Sequence, residues 1–498
     1  TAFIIEKIGQ HDVTLRDPSL FYPILRAESR ESFLQLLERY PQPEAEHEKG
    51  ENFRITDEHL GEGSKREKFQ RNLAAITTLQ TLEKENRPAT KAEQETLSKY
   101  IGWGGLSEVF DKDNNSFSAE FTQLKASLSE DEYDMARAST LNAHYTSPTV
   151  IKAIYNTVER MGFSTGNILE PACGIGNFFG LLHDNMADSR LYGIELDSIT
   201  GRIAKQLYPN ANIAITGFEK AELPDSFFDL AIGNVPFGNY KLSEKRYDSQ
   251  GFLIHDHFFA KSLDKVRPGG VVAFITSKGT MDKQSPEVRR YLAQRAELLG
   301  AIRLPNNAFL KNAGTEVTSD ILFLQKRDRP IDVDRDWIYL DKNENDITLN
   351  RYFAEHPEMI LGKMEMKSGQ FGMESTCTPV PDADLSELLM AAIANIDGNI
   401  PEAELLAGRP IHGLEDMKAA ARQILQMGPK AVLVKGGHGQ GREKTDLLLI
   451  DGSFHTFSSA TISTRNTHGT GCTLSSAIAS FVARGQGICE AVASAKAY

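Results

Sequence analysis

Between Asn167 and Lys326 the apolar runs NILEPA, LYGIEL, FDLAIGN, GVVAFIT, LGAIRLP and DILFLQK alternate with longer stretches of mixed polarity. Short apolar runs separated by helix-length segments predict strands alternating with helices, hence a mostly parallel sheet covered on both faces. A second α/β stretch begins after Asn399, with KAVLVKGG and DLLLIDG as its clearest strands. Upstream, Ser64-x-x-Glu67 and Thr90-x-x-Glu93 have the capping-box pattern that opens a helix. Phe69, Leu73, Ile76, Leu79 and Leu82 follow at helical spacing, and Pro88 predicts the stop. The second helix is expected to run into Gly102-Trp103-Gly104-Gly105. No Lys-Ser/Thr follows that cluster, so it reads as a turn rather than a phosphate cradle.

A chain of 498 residues is long enough for roughly two to four domains. The segments expected are a tail of an upstream part and an acidic linker (1–51), a helical region (52–140), an α/β domain (141–330), a connecting segment (331–398) and a second α/β segment (399–498). The chain opens at Thr1 without a methionine and stops at Tyr498, so it is expected to be a fragment at both ends. No apolar run approaches the ~20 residues that span a bilayer, and no signal-peptide pattern opens the chain, so no membrane association is expected. Cys173, Cys377, Cys472 and Cys489 form no CxxC pair, which points away from a metal site and toward a reducing cytoplasm. Acidic residues number 68 against 55 basic ones, a balance of −13 at pH 7. Any DNA contact is therefore expected from a local basic face or from a segment outside this chain, because phosphate neutralisation dominates that affinity.

The chemistry is concentrated at the ends of four apolar runs. In Asn167-Ile-Leu-Glu-Pro171-Ala-Cys-Gly174-Ile-Gly176 a strand turns through two glycines, which let the backbone approach a ligand closely. A dinucleotide-binding G-x-G-x-x-G would need its third glycine at Phe179, so that reading fails on spacing. Glu195 ends the next apolar run, where a carboxylate can accept both hydroxyls of a ribose. Phe218 and Glu219 follow the third run, placed to contact a nucleoside base. Gly233-Asn234-Val235-Pro236-Phe237-Gly238 directly follows the strand Asp229–Ile232.

That last motif resembles the Asn/Asp-Pro-Pro-Tyr/Phe signature of the amino-methyltransferases that modify the exocyclic amine of adenine in DNA. The resemblance implies a Rossmann-like sheet using S-adenosyl-L-methionine. It also implies that Asn234 and the Val235 carbonyl accept hydrogen bonds from the amine, with Pro236 shaping the turn and Phe237 stacking on the extruded base. Val235 stands where the family usually has proline, which relaxes the turn. By the same resemblance Tyr145 and Thr146, in Asn142–Pro148, close over the methionine end of the cofactor. Pro171, Gly174, Gly176, Glu195, Phe218 and Glu219 hold the rest of it. Lys265–Gly270 and Gly314–Asp320 are similar to the family's later turn and closing hairpin. Asn52–Gly61, Tyr100–Gly105 and Arg351–Pro357 narrow the likeness to the helicase–methylase proteins of conjugative elements and phages. That implies DNA as partner and a helicase part beyond this chain.

Residues 399–498 resemble the C-terminal half of hydroxymethylpyrimidine/phosphomethylpyrimidine kinase, a ribokinase-like enzyme of thiamine synthesis. The motifs are Asn399-Ile-Pro-Glu402, Val434-Lys435-Gly-Gly-His438 and Asn466-Thr-His-Gly469-Thr-Gly471-Cys472. The likeness implies ATP and Mg²⁺ as cofactors, with Cys472 as base at a helix start that lowers a thiol pKa. The half supplying most of the pyrimidine pocket is missing. An inactive segment with an exposed edge and a bare apolar face is therefore expected, joined near Asp397–Pro401 as a chimera or, alternatively, as a natural fusion. The leading expectation is an adenine-N6 DNA methyltransferase. The alternatives are a catalytically silent DNA-binding module and a pyrimidine kinase.

Overall fold

The structure, a computed structural model, describes residues 50–140, 146–310, 314, 316–369, 372–396, 413–426, 430–434, 443–460 and 486–497, a few single residues near 480, and three N-terminal strands. Those strands, β1 (Ile4–Ile8), β2 (Asp12–Arg16) and β3 (Leu25–Ser29), form a small antiparallel sheet within what the sequence suggests is a tail. Backbone contacts divide the chain into two units, 1–398 and 399–498.

In the first unit, the helix Lys65–Glu85 opens with a complete Ser64/Glu67 capping box and ends at Asn86, which is left-handed at φ 48°. The helix Lys91–Leu97 has the Thr90/Glu93 box but stops short of the glycine cluster. The reason is Asn72. Its Oδ1 accepts the Ile101 N–H at 2.9 Å and its amide donates to the Gly102 carbonyl, so the chain is drawn into a turn. Asn72 is fully buried, whereas Leu73 lies only half-buried beside it.

The central sheet contains β4 (Asn167–Glu170), β5 (Arg190–Glu195), β6 (Asn212–Ile215), β7 (Phe228–Asn234), β8 (Val266–Ser277), β9 (Ala296–Leu304) and β10 (Ser319–Lys326). Its order is β6-β5-β4-β7-β8-β10-β9. The pairings β4–β5, β5–β6, β4–β7 and β7–β8 are parallel. β10 slots antiparallel between β8 and β9, as the closing-hairpin resemblance implied. Phe228, Leu230 and Ile232 on one face of β7 are as fully buried as Ala231 on the other, which is why that strand reads as a continuous apolar run. Each such large side chain contributes roughly 1.5–3 kcal/mol by leaving water. The chain leaves β4 toward β5 and β6, then crosses back to β7. The carboxyl ends of β4 and β7 thus flank a topological switch point, where open α/β sheets bind ligands.

Arg303 on β9 is wholly buried, with Nε and Nη2 donating to Asp320 on β10 at 2.8 and 2.9 Å. Its Nη1 lies 2.8 Å from Asp282, which ends the short helix Gly279–Asp282 after β8. Beyond the sheet, β11 (Leu340–Lys342) pairs with β12 (Thr348–Asn350). β13 (Gly362–Gly369) pairs with β14 (Gly372–Pro379) as a long antiparallel ribbon.

In the second unit, β15 (Ala431–Val434), β16 (Glu443–Ile450) and β17 (Ser453–Ala460) form an antiparallel sheet. The helix Leu414–Leu425 packs Met417, Ala421 and Ile424 against Val432, Val434, Leu447 and Leu449. Among the described residues, both faces of β16 carry buried side chains. Leu448, on the strand's other face, is also buried, and the helix Ile488–Ala497 buries Ala491 and Val492. That C-terminal helix lies against β17.

Candidate functional site

The loop after β4 is shaped by its glycines. Gly174 and Gly176 have φ of 55° and 88°, a region that disfavours any side chain. A Cβ at Gly176 would also lie 2.5 Å from a ring carbon of Tyr208. Pro171 is buried at the start of this loop. Cys173 donates its N–H to the Ile194 carbonyl at 2.9 Å, and its thiol is pushed well above the ordinary range by burial. That makes it a packing residue rather than a nucleophile.

Glu195 locks the loop to β5. One carboxylate oxygen accepts the Gly174 N–H at 2.8 Å, and the other accepts the Asp197 N–H at 2.8 Å. Burial pushes its pKa up to about 7, against the pull of those two N–H groups. Leu196, next in sequence, is 68% exposed. An apolar side chain held in solvent beside a half-buried carboxylate suits a platform for a flat ring.

Phe218 and Glu219 lie in the single helical turn that follows β6. The Phe218 ring is buried, its centroid 4.7 Å from that of Phe258 and 5.0 Å from the Lys261 ammonium. The Glu219 carboxylate folds back over Gly217.

Glu170 is a residue that pattern reading passed over. It ends β4 at 2% exposure, and its Oε2 has no hydrogen-bond partner. Burial, then the neighbouring Glu195, hold its carboxyl well above the usual carboxylate range. Gly233 makes room for it, since a Cβ there would lie 3.3 Å from Glu170 Cγ. Asn177 Oδ1, just past the loop, is likewise buried without a partner. A buried orphan acid is costly unless a ligand completes it. The available signal was an acid directly after the apolar pair Ile168-Leu169 in the run NILE.

The β7 turn lies on the other side of the switch point. Asn234 donates its side-chain NH₂ to Thr146 Oγ1 at 3.1 Å, so residues 88 apart in sequence meet here. Val235 is 2% exposed, and its N–H donates to the Ile275 carbonyl of β8 at 3.1 Å. Proline could not make that bond. The main-chain link therefore fixes the turn that the usual proline would stiffen. Pro236 and Phe237 are half-buried beyond it. Tyr145 lies outside the described residues, as do Asn399, Glu402, Lys435, Gly469, Gly471 and Cys472. Among the described residues no cluster of His, Cys, Asp or Glu could hold a metal ion, and no helix is long and apolar enough to cross a membrane.

Strand order and crevice together are those of a methyltransferase-like α/β domain, followed by a kinase-like segment. Residues 131–356 match the N-6 DNA Methylase family and residues 378–498 match phosphomethylpyrimidine kinase. One relative is the defense against restriction protein B of Escherichia phage P1. It is 30% identical over 193 residues, covering 38% of this chain and 8% of that protein. Another is the hydroxymethylpyrimidine/phosphomethylpyrimidine kinase of Rhizobium meliloti (strain 1021). It is 47% identical over 115 residues, covering 23% of this chain and 43% of that enzyme. A modification subunit of a putative type I restriction enzyme from Vibrio vulnificus YJ016 aligns at 17% identity and a TM-score of 0.32, over 55% of this chain and 65% of that one. The chain thus spans less than half the length of either curated relative.

Proposed function

We propose that the domain spanning residues 131–356 transfers a methyl group from S-adenosyl-L-methionine to the exocyclic amine of adenine in DNA. The observation that carries this reading is the Thr146–Asn234 hydrogen bond at the end of β7. An Asn whose NH₂ is committed to a hydroxyl turns its oxygen to accept, and an acceptor beside the Val235 carbonyl orients an attacking amine.

The residues present fit the cofactor. Glu170 supplies an orphaned buried carboxylate suited to an ammonium group. Gly174 and Gly176, at positive φ, let the loop turn without a Cβ, Glu195 suits ribose hydroxyls, and Leu196 suits the adenine ring. When bound, the cofactor supplies a methyl group activated by its sulfonium. The chain's own contribution is orientation. Asn234 Oδ1 and the Val235 carbonyl hold the amine, and Phe237 holds the base plane. Positioning of that kind can supply roughly 7–11 kcal/mol of a barrier. Thr146, with Tyr145 beside it, covers the methionine end. Within this reading, a helicase part outside the chain is the expected partner. The 399–498 segment, whose ATP and Mg²⁺ ligands would come from Asn399, Glu402, Lys435, Gly469, Gly471 and Cys472, is read as inactive without its substrate half.

The test is transfer of labelled methyl from S-adenosyl-L-methionine to unmethylated DNA, run beside Asn234→Ala. Label on adenine N6 that the variant loses supports the reading. Cofactor binding without transfer to double- or single-stranded DNA would leave a silent DNA-binding module instead.

A further inference from the structure

The β13–β14 ribbon has two unlike faces. Its register pairs Met364 with Cys377, Met366 with Ser375, and Ser368 with Met373. Since side chains alternate along a strand, these six share one face. Lys363, Glu365 and Lys367, opposite Thr378, Thr376 and Glu374, make the other face polar.

At its root the apolar face is packed. Met364 and Cys377 are buried, and the Cys377 thiol lies within the influence of Arg303 and Asp320. The Leu361 N–H donates to the Arg303 carbonyl at 2.9 Å, and the Asn306 N–H donates to the Cys377 carbonyl at 2.7 Å. Further out, the Lys278 ammonium donates to the Ser375 carbonyl and to Ser375 Oγ at 3.1 Å. Lys278 directly follows β8, whose Ile275 is paired with Asn234. The same face then continues past Lys278, with Met366 46% and Met373 64% exposed. A two-stranded ribbon is marginal by itself, so a bare apolar outer half is a cost that a ligand would relieve.

We propose that the paired strands β13 and β14 are the DNA-contacting finger of this domain, with Met366 and Met373 packing on the base next to the extruded adenine. The inference rests on the methyltransferase reading of the crevice. The occupant follows from continuity. The bare methionines extend a face already seated at the top of β8, one strand from Asn234, and what enters that crevice is a base and its neighbours in the strand. Methionine is apolar and polarizable, packs favourably on aromatic faces, and is among the wedge residues that enter base steps. A ribbon of this width also fits a DNA groove.

The experiment measures the binding of a fluorescein-labelled, unmethylated mixed-sequence duplex and its single strand by anisotropy. The full chain is compared with the double variants Met366→Gln/Met373→Gln and Met366→Leu/Met373→Leu. The Gln pair should weaken DNA binding on the order of tenfold. The Leu pair should restore most of the affinity. S-adenosyl-L-methionine binding and the thermal midpoint should stay unchanged in both, since both side chains are exposed. Wild-type DNA affinity in the Gln pair overturns the finger while sparing the methyltransferase. No DNA binding by the wild-type chain overturns both.

Discussion

Glu195 accepts the Gly174 N–H at 2.8 Å, so the acid that ends β5 holds the glycine loop that ends β4. Within the proposed function the same carboxylate would also accept ribose hydroxyls, so its ionisation would couple loop geometry to ligand binding.

Its raised pKa sets a pH dependence. Burial lifts Glu195 from 4.5 to about 7, so the folded chain binds an extra proton between those values. The contribution of this group to stability therefore falls as pH rises through that window. Accepting ribose hydroxyls favours the ionised form, so cofactor affinity should rise with pH up to about 7 and level off above it. Calorimetric titration across that range checks this. Glu195→Gln should bind more weakly and lose the step centred near 7, and a step that persists in the variant would assign it elsewhere.

Asn234→Ala should reduce methyl transfer to DNA by about 10²–10³-fold, the usual loss for one orienting hydrogen-bonding group. Cofactor binding should be preserved, because the Asn234 side chain is placed to hold the amine and its NH₂ donates to Thr146. Single-turnover transfer with saturating cofactor separates the two effects, and an equal loss in both would make Asn234 a structural residue.

Val235→Pro would restore the usual motif yet is expected to harm this chain. It deletes the N–H that bonds the buried Ile275 carbonyl, a loss of roughly 1–3 kcal/mol. Urea unfolding should show the decrease without any gain in kcat. Faster transfer would mean that turn rigidity outweighs the β7–β8 link.

Gly176→Ala combines a left-handed φ of 88° with a Cβ placed 2.5 Å from the Tyr208 ring. Together these should cost roughly 2–4 kcal/mol. Adding Tyr208→Leu removes the clash but not the backbone strain, so the double variant should regain only part of the loss. Thermal denaturation of the four chains measures it, and full recovery would assign the whole penalty to packing.

The segment 399–498 has its own core around Met417, Ala421, Val432 and Leu447. A chain ending at Gly398 should keep cofactor binding and methyl transfer. Neither chain should phosphorylate hydroxymethylpyrimidine with ATP. Turnover by the full chain, lost in Cys472→Ala, would reverse that expectation.

The sequence by itself determined the strands from Asn167 to Lys326, both capping boxes, the glycine loop and the Asn234 turn. All of these are local. A strand shows as an apolar run because both its faces are buried, and a capping box is complete within four residues. It also separated the kinase-like segment, through motifs that owe nothing to the methylase pattern. Only the tertiary structure decided which side chains meet. Asn72 capturing Gly102, Thr146 meeting Asn234, Glu170 left without a partner under Gly233, and the ribbon standing over Lys278 all join residues far apart in the chain. The physical reason is strand order. A sheet that runs β6-β5-β4-β7-β8-β10-β9 brings carboxyl ends together by crossing back over itself, and no local periodicity encodes that crossing.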